Sequence, residues 1–158
     1  MERTIKVAQA RFCIEEIMFQ YAEAIDDGQL EMLGPLFARA EIINADGKTI
    51  FGEDIVDHYR DRVIMYDKDG NEAAYEAGLT TPRTRHVNTN ILYQFNNPVN
   101  RADVRSCFTA YQTIDRQNEI VAGGRYVDLF EKDLQGWHIV SRKIMLDHWG
   151  DTSRLMRR

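Results

Sequence analysis

The sequence predicts an α+β domain in which helices lie across the mouth of a strongly bent antiparallel sheet, a cone in outline. Two observations carry this. Helical spacing dominates the first 65 residues, and residues 84–146 read as four long strands joined by short turns. The length of 158 residues matches one domain over 1–158, with no repeat, low-complexity tract or linker to divide it.

From Thr4 to Ile25 the apolar residues Ile14, Ile17, Met18, Tyr21, Ala22 and Ile25 recur every three or four positions, while Glu15, Glu16, Gln20 and Glu23 fill the other face. That is the pattern of a long amphipathic helix. Asp27-Gly28 interrupts it, and Leu30, Leu33, Leu36 and Phe37 repeat the spacing in a shorter segment that Asp27 is placed to cap. Ala40 to Asn44 and Lys48 to Phe51 flank Ala45-Asp46-Gly47, a step that supplies the positive φ of a tight hairpin. Gly52 to Met65 returns to helical spacing through Ile55, Val56, Tyr59 and Val63, with Glu53 and Asp54 at the end where the helix dipole favours negative charge. Tyr66 to Pro82 has no sustained period. A loop of that length in a small domain is more often functional or mobile than accidental, which makes it a candidate lid. Thr84 to Phe95, Val104 to Ile114, Ile120 to Glu131 and Trp137 to Leu146 are strand-like, with turns at Asn96-Asn97-Pro98, Asp115 to Asn118 and Asp133 to Gly136.

Composition removes several function classes. The net charge of −5 argues against nucleic acid or an anionic membrane surface as the main partner. Cys13 and Cys107 are too far apart to suggest a disulfide framework or a metal motif, and both read as small buried hydrophobes. His58, His86, His138 and His148 form no H-x-x-x-H or H-x-H pair, so no metal is expected. Phosphate-cradling glycine motifs and the G-x-S-x-G elbow are absent, so neither a nucleotide cofactor nor serine-hydrolase chemistry is expected. The first residues lack the apolar run of a signal peptide, and nowhere do eighteen apolar residues follow one another; the expected location is cytoplasmic.

The residues able to do chemistry are few. On Thr84 to Phe95 the two-residue period groups His86, Asn88, Asn90, Leu92 and Gln94 against Val87, Thr89, Ile91, Tyr93 and Phe95. The commoner outcome on an antiparallel sheet leaves His86, Asn88 and Asn90 in water. The alternative turns them into a pocket, where an imidazole moves protons near neutral pH. Asp26 ends the first helix beside its apolar stripe, where it is either a second cap or surface charge, or the partner that holds an imidazole in one tautomer. Tyr21, one turn earlier, is a core aromatic or a donor to a ligand. Gly123-Gly124 within a strand marks a bend or bulge, and Arg125 and Asp128 beyond it face opposite sides, so one of them points inward.

Together these segments resemble the SnoaL-like branch of the nuclear transport factor 2-like superfamily. The likeness rests on Tyr21-Ala22-Glu23-Ala24-Ile25-Asp26 with Leu33 and Leu36-Phe37, and on Thr84-Arg85-His86-Val87 with Thr89-Asn90-Ile91. It continues through Ala122 to Phe130, Trp137 to Leu146 and Gly150-Asp151-Thr152-Ser153-Arg154-Leu155. The resemblance implies an α+β barrel with an internal cavity. In relatives such as scytalone dehydratase and hexachlorocyclohexane dehydrochlorinase an aspartate at the end of the first helix pairs with a proton-abstracting histidine, and those roles fall on Asp26 and His86. The second half, through Thr84-Arg85-His86, Ala122-Gly123 with Arg125, and Ile139-Val140-Ser141-Arg142, also resembles the β subunit of aromatic-ring-hydroxylating dioxygenases, which is generally structural.

The expected function is therefore that of a cofactor-independent lyase or isomerase, of dehydratase type, acting on a small hydrophobic, aromatic or polyketide-like molecule. Asp26 and His86 are the catalytic candidates, and Tyr21, Asn88, Asn90, Arg125 and Asp128 the substrate-binding ones. Such cones commonly form dimers or trimers. The alternatives are a non-catalytic dioxygenase β-type subunit and a ligand-binding module of the same fold.

Overall fold

The computed structural model describes residues 1–157, and its elements follow the expected order. Helix α1 runs Glu2–Asp26, and a 3₁₀ turn at Leu30–Met32 leads into α2, Leu33–Phe37. Strands β1 (Glu41–Ile43) and β2 (Thr49–Phe51) form the hairpin about Asp46-Gly47. A second 3₁₀ turn, Gly52–Asp54, opens α3, Ile55–Arg62. The short strands β3 (Met65–Tyr66) and β4 (Glu72–Ala73) precede the long strands β5 (Thr84–Phe95), β6 (Arg101–Ile114), β7 (Gln117–Asp133) and β8 (Gly136–Trp149).

The main sheet has the order β2-β1-β8-β7-β6-β5, so β5 is an edge strand. All its pairings are antiparallel except β1 against β8, which is parallel and lets the early hairpin extend the late sheet. Register shifts interrupt the pairing at Thr89/Leu92, Ala110/Tyr111, Gly123/Gly124 and Leu129/Phe130, and extra residues of this kind bend a sheet. The paired glycines lie at one of these bends as expected: a Cβ on Gly124 would meet the Met145 carbonyl oxygen at 1.9 Å. One core, including Ile14, Met18, Phe37, Ile42, Ile55 and Phe130, is shared by helices and sheet.

Four local expectations change. The third helix stops at Arg62 because Val63 turns extended (φ −83°, ψ 131°) and bridges Met156, so the stretch to Met65 is not helical. Asp27 caps no second helix; it ends α1 and its carboxylate accepts Arg85 Nη1 at 2.8 Å. The segment 66–82 is fastened rather than free. Tyr66 exchanges backbone hydrogen bonds with Thr81, and Gly28 lies so close to the Thr80 carbonyl that a Cβ there would approach it to 1.9 Å. Gly28 also has φ +65°, and this left-handed turn lets the chain leave α1 with Asp26 facing β5. Cys13 is exposed and Cys107 half-buried, so neither is the buried hydrophobe expected of it. No helix among the described residues is long and apolar enough to cross a membrane.

Candidate active site

Asp26 is 5% exposed, and its carboxylate is held on three sides by the start of β5. Thr84 Oγ1 donates to Oδ1 at 2.6 Å, the His86 backbone N–H donates to Oδ2 at 2.7 Å, and His86 Nδ1 lies 2.7 Å from Oδ1. The edge position of β5 makes this possible, because a strand with one neighbour has backbone donors to spare for a helix end. Burial on its own would raise the Asp26 carboxyl. The His86 ring, the Thr84 hydroxyl and the backbone N–H outweigh it and hold Asp26 below the usual carboxylate range. An ionised Asp26 only accepts, so Nδ1 carries the hydrogen between the two groups, and in the neutral ring the lone pair is left on Nε2.

That second nitrogen belongs to a ring bordering an apolar cavity of about 150 Å³. Phe108 stacks on Tyr126 at 4.3 Å and forms one wall, and the His86 ring lies 6.5 Å from Phe108. Ile144 and the tail residues Leu155 and Met156 also line the cavity. Tyr21 and Tyr59 supply the polar element, their hydroxyls 2.6 Å apart. Burial raises the pKa of both, and that of Tyr126, above the ordinary phenol value, so all three stay protonated. One hydrogen joins the Tyr21 and Tyr59 oxygens, and the other phenol hydrogen remains to be donated. On its outer side the dyad borders a groove of about 560 Å³ between α1 and β5, lined by Phe19, Ala22, Glu23 and Asn88 among others.

Behind the phenols lies a buried ion pair. Arg142 Nε and Nη2 donate to Asp128 at 2.9 and 2.7 Å, and the guanidinium carbon sits 4.4 Å from the Tyr21 ring centre and 4.2 Å from that of Tyr126. Burial opposes the charge on Arg142. The Asp128 carboxylate more than reverses this, so the guanidinium stays charged between the two rings.

The structure brings Asp26, His86 and Tyr21 together. It separates the others. Asn88 is half-buried, with its Oδ1 enclosed and without a hydrogen-bond partner, on the groove side of the dyad. Asn90 is exposed and adopts φ +52° at the bulge, and Arg125 is exposed on the outer face, where it pairs with Asp147. Neither can touch a cavity ligand. Asp128 is the inward member of its pair, yet both oxygens are committed to Arg142.

The uniform alternation along β5 also fails, for one reason. The register shift between Thr89 and Leu92 moves the inward phase by one residue, so His86 and Asn88 share the inner face with Ile91, Tyr93 and Phe95, while Val87 and Leu92 are 45% and 59% exposed. Sequence reasoning missed Thr84, Tyr59, Phe108, Tyr126 and Arg142. The signal for Thr84 was present, since it lies two residues before His86 on the same face. The signal for Arg142 was weaker. Folding back from Asp133 to Gly136 sets Asp128 opposite Ser141, and the bulge at Leu129/Phe130 shifts it to Arg142.

No curated protein matches this chain. Solved structures do match in fold. A candidate scytalone dehydratase from Novosphingobium aromaticivorans is 23% identical with a TM-score of 0.66, over 94% of this chain and 91% of that one. LinA is 12% identical with a TM-score of 0.70, over 96% and 95%. The β subunit of a candidate aromatic-ring-hydroxylating dioxygenase, also from N. aromaticivorans, is 16% identical with a TM-score of 0.65, over 96% and 99%. A further structure similar in fold, from the same organism, is an NTF2-like protein with a cystatin-like fold. The SnoaL-like domain family matches residues 6–143, and with this curved sheet and its helices the chain belongs to that family.

Proposed function

We propose that the protein is a cofactor-independent lyase or isomerase that removes a proton from a small hydrophobic molecule, aromatic or polyketide-like, held in the inner cavity. The observation that carries this reading is the buried Asp26–His86 pair bordering an apolar chamber that also holds phenol donors. His86 Nε2 takes a proton from a carbon acid, and the C–H electron pair moves toward a carbonyl oxygen or a leaving group. Asp26 stabilises the imidazolium that forms. Charge developing on oxygen meets the spare phenol hydrogen of Tyr21 and Tyr59, or that of Tyr126. The imidazolium then returns its proton, either to the departing oxygen, which completes elimination, or to another carbon, which completes isomerisation.

The test is a set of cyclic ketones and hydroxy ketones incubated in D₂O and followed by NMR for exchange, elimination or rearrangement. His86→Ala should lower the rate by about 10²–10⁴-fold with an unchanged circular dichroism spectrum. Equal rates in the folded variant would remove His86 from the mechanism, and binding without turnover would favour a ligand-binding module.

A second reading, a non-catalytic β-type dioxygenase subunit, is favoured by likeness in fold to such a subunit over nearly its full length. Native mass measurement after co-expression with an α-type subunit separates the two, since only the second reading requires a mixed complex.

A further inference from the structure

The inner cavity is small. Its volume is about 150 Å³, whereas pockets for drug-sized ligands run to about 300–1,000 Å³. Apolar cavities of about 150 Å³ bind benzene, so a single six-membered ring is enough to fill this one. The lining also selects for charge. Among the described residues no carboxylate, lysine or arginine borders the cavity: Asp26 is spent on β5, and the Arg142 guanidinium lies between the Tyr21 and Tyr126 rings. An ionic ligand would give up its hydration and meet no opposite charge. A neutral oxygen fares better, because the Tyr21 and Tyr59 hydroxyls have a hydrogen to spare and the neutral His86 ring keeps an accepting nitrogen.

The tail holds the volume down. Tyr21, Ile25, Val63, Phe108 and Tyr126 are at most 5% exposed and belong to the close-packed core, so the cavity cannot grow toward them. Leu155 and Met156 also line it but are only half-buried, so solvent reaches their outer side. Backbone bonds pin the tail that carries them: the Leu155 carbonyl accepts the Ile64 N–H at 2.8 Å, and the Arg157 N–H donates to the Arg62 carbonyl at 2.7 Å. That makes the tail a fixed wall. Met156 lies between the two pins, bridged to Val63, and its long unbranched side chain contributes nothing to either of them. On the reading that the inner cavity holds the substrate, we propose that it takes a single neutral six-membered ring carrying a carbonyl or hydroxyl oxygen, and that Met156 is the specificity residue that excludes a second fused ring.

Isothermal titration of the full chain in mildly alkaline solution reads the choice, with phenol and cyclohexanone as single rings, 2-naphthol as the fused pair and benzoate as the anion. Both single rings should bind. Phenol should bind the wild type at least tenfold more tightly than 2-naphthol, although the larger molecule is the more hydrophobic, and at least tenfold more tightly than benzoate. Met156→Ala keeps the backbone pins, so its circular dichroism should be unchanged, and in that variant 2-naphthol should gain at least tenfold relative to phenol. Tighter binding of 2-naphthol than of phenol by the wild type overturns the proposal. So does a preference for phenol that survives undiminished in folded Met156→Ala, benzoate binding equal to that of phenol, or a failure of both single rings to bind. None of these titrations depends on turnover. Ring selection without His86-dependent exchange in D₂O would leave the size of the site standing and end the proposed chemistry, and His86-dependent exchange of fused-ring ketones would do the reverse.

Discussion

Asp26 grips His86 twice, its Oδ1 against ring Nδ1 at 2.7 Å and its Oδ2 against the backbone N–H at 2.7 Å, so one carboxylate fixes both the position and the tautomer of the imidazole. The double grip joins the end of α1 to the edge of the sheet, which makes the same contact a structural clasp and the centre of the candidate chemistry.

The clasp has a pH signature. Asp26 binds its proton more weakly in the folded chain than in the unfolded one, so its contribution to stability is fully present above the ordinary carboxylate value of 3.8 and is lost as pH falls through the lower folded value. Urea midpoints should hold steady from neutral pH to about pH 5 and fall in stronger acid. In Asp26→Asn the acid limb should be shallower. An equally steep limb in that variant would mean that other carboxylates carry the acid sensitivity.

Tyr59→Phe removes one hydroxyl of the phenol pair and leaves the ring in place. If that pair meets charge as it develops, kcat should fall by about 10²-fold, the lower end for the loss of one such donor, with little change in KM. A rise in KM at constant kcat would instead assign the hydroxyl to ground-state binding.

Arg142→Met leaves the Asp128 carboxylate buried without its partner and empties the space between Tyr21 and Tyr126. Thermal and urea denaturation should show a loss of about 3–5 kcal/mol. Arg142→Met with Asp128→Leu should recover a large part of it, because the pair costs most when only one charge remains. No recovery in the double variant would show that the aromatic stacking on Arg142, rather than the ion pair, holds this layer.

The order of helices and strands was legible because period and turn chemistry are local signals: Ile14, Met18, Tyr21 and Ile25 mark one helical stripe, and Asp46-Gly47 one hairpin. The dyad was legible only as two candidates, because nothing local measures the approach of residues 60 positions apart. Asn90 was misplaced for a specific reason. A one-residue bulge reverses the face of everything beyond it, and Asn90 carries no sequence mark of its left-handed backbone. Tyr59 was invisible as a site residue because its place depends on how α3 packs, and Arg142 left only a weak register signal because its place depends on the bulge at Leu129/Phe130.

Nitrogen NMR of the His86 ring in mildly alkaline solution tests the dyad most directly. The expected spectrum shows hydrogen on Nδ1 and a bare Nε2 in the wild type, and a loss of that preference in Asp26→Asn. Hydrogen on Nε2 in the wild type, or a tautomer unaffected by Asp26→Asn, would contradict the assignment of His86 as the base and Asp26 as its anchor.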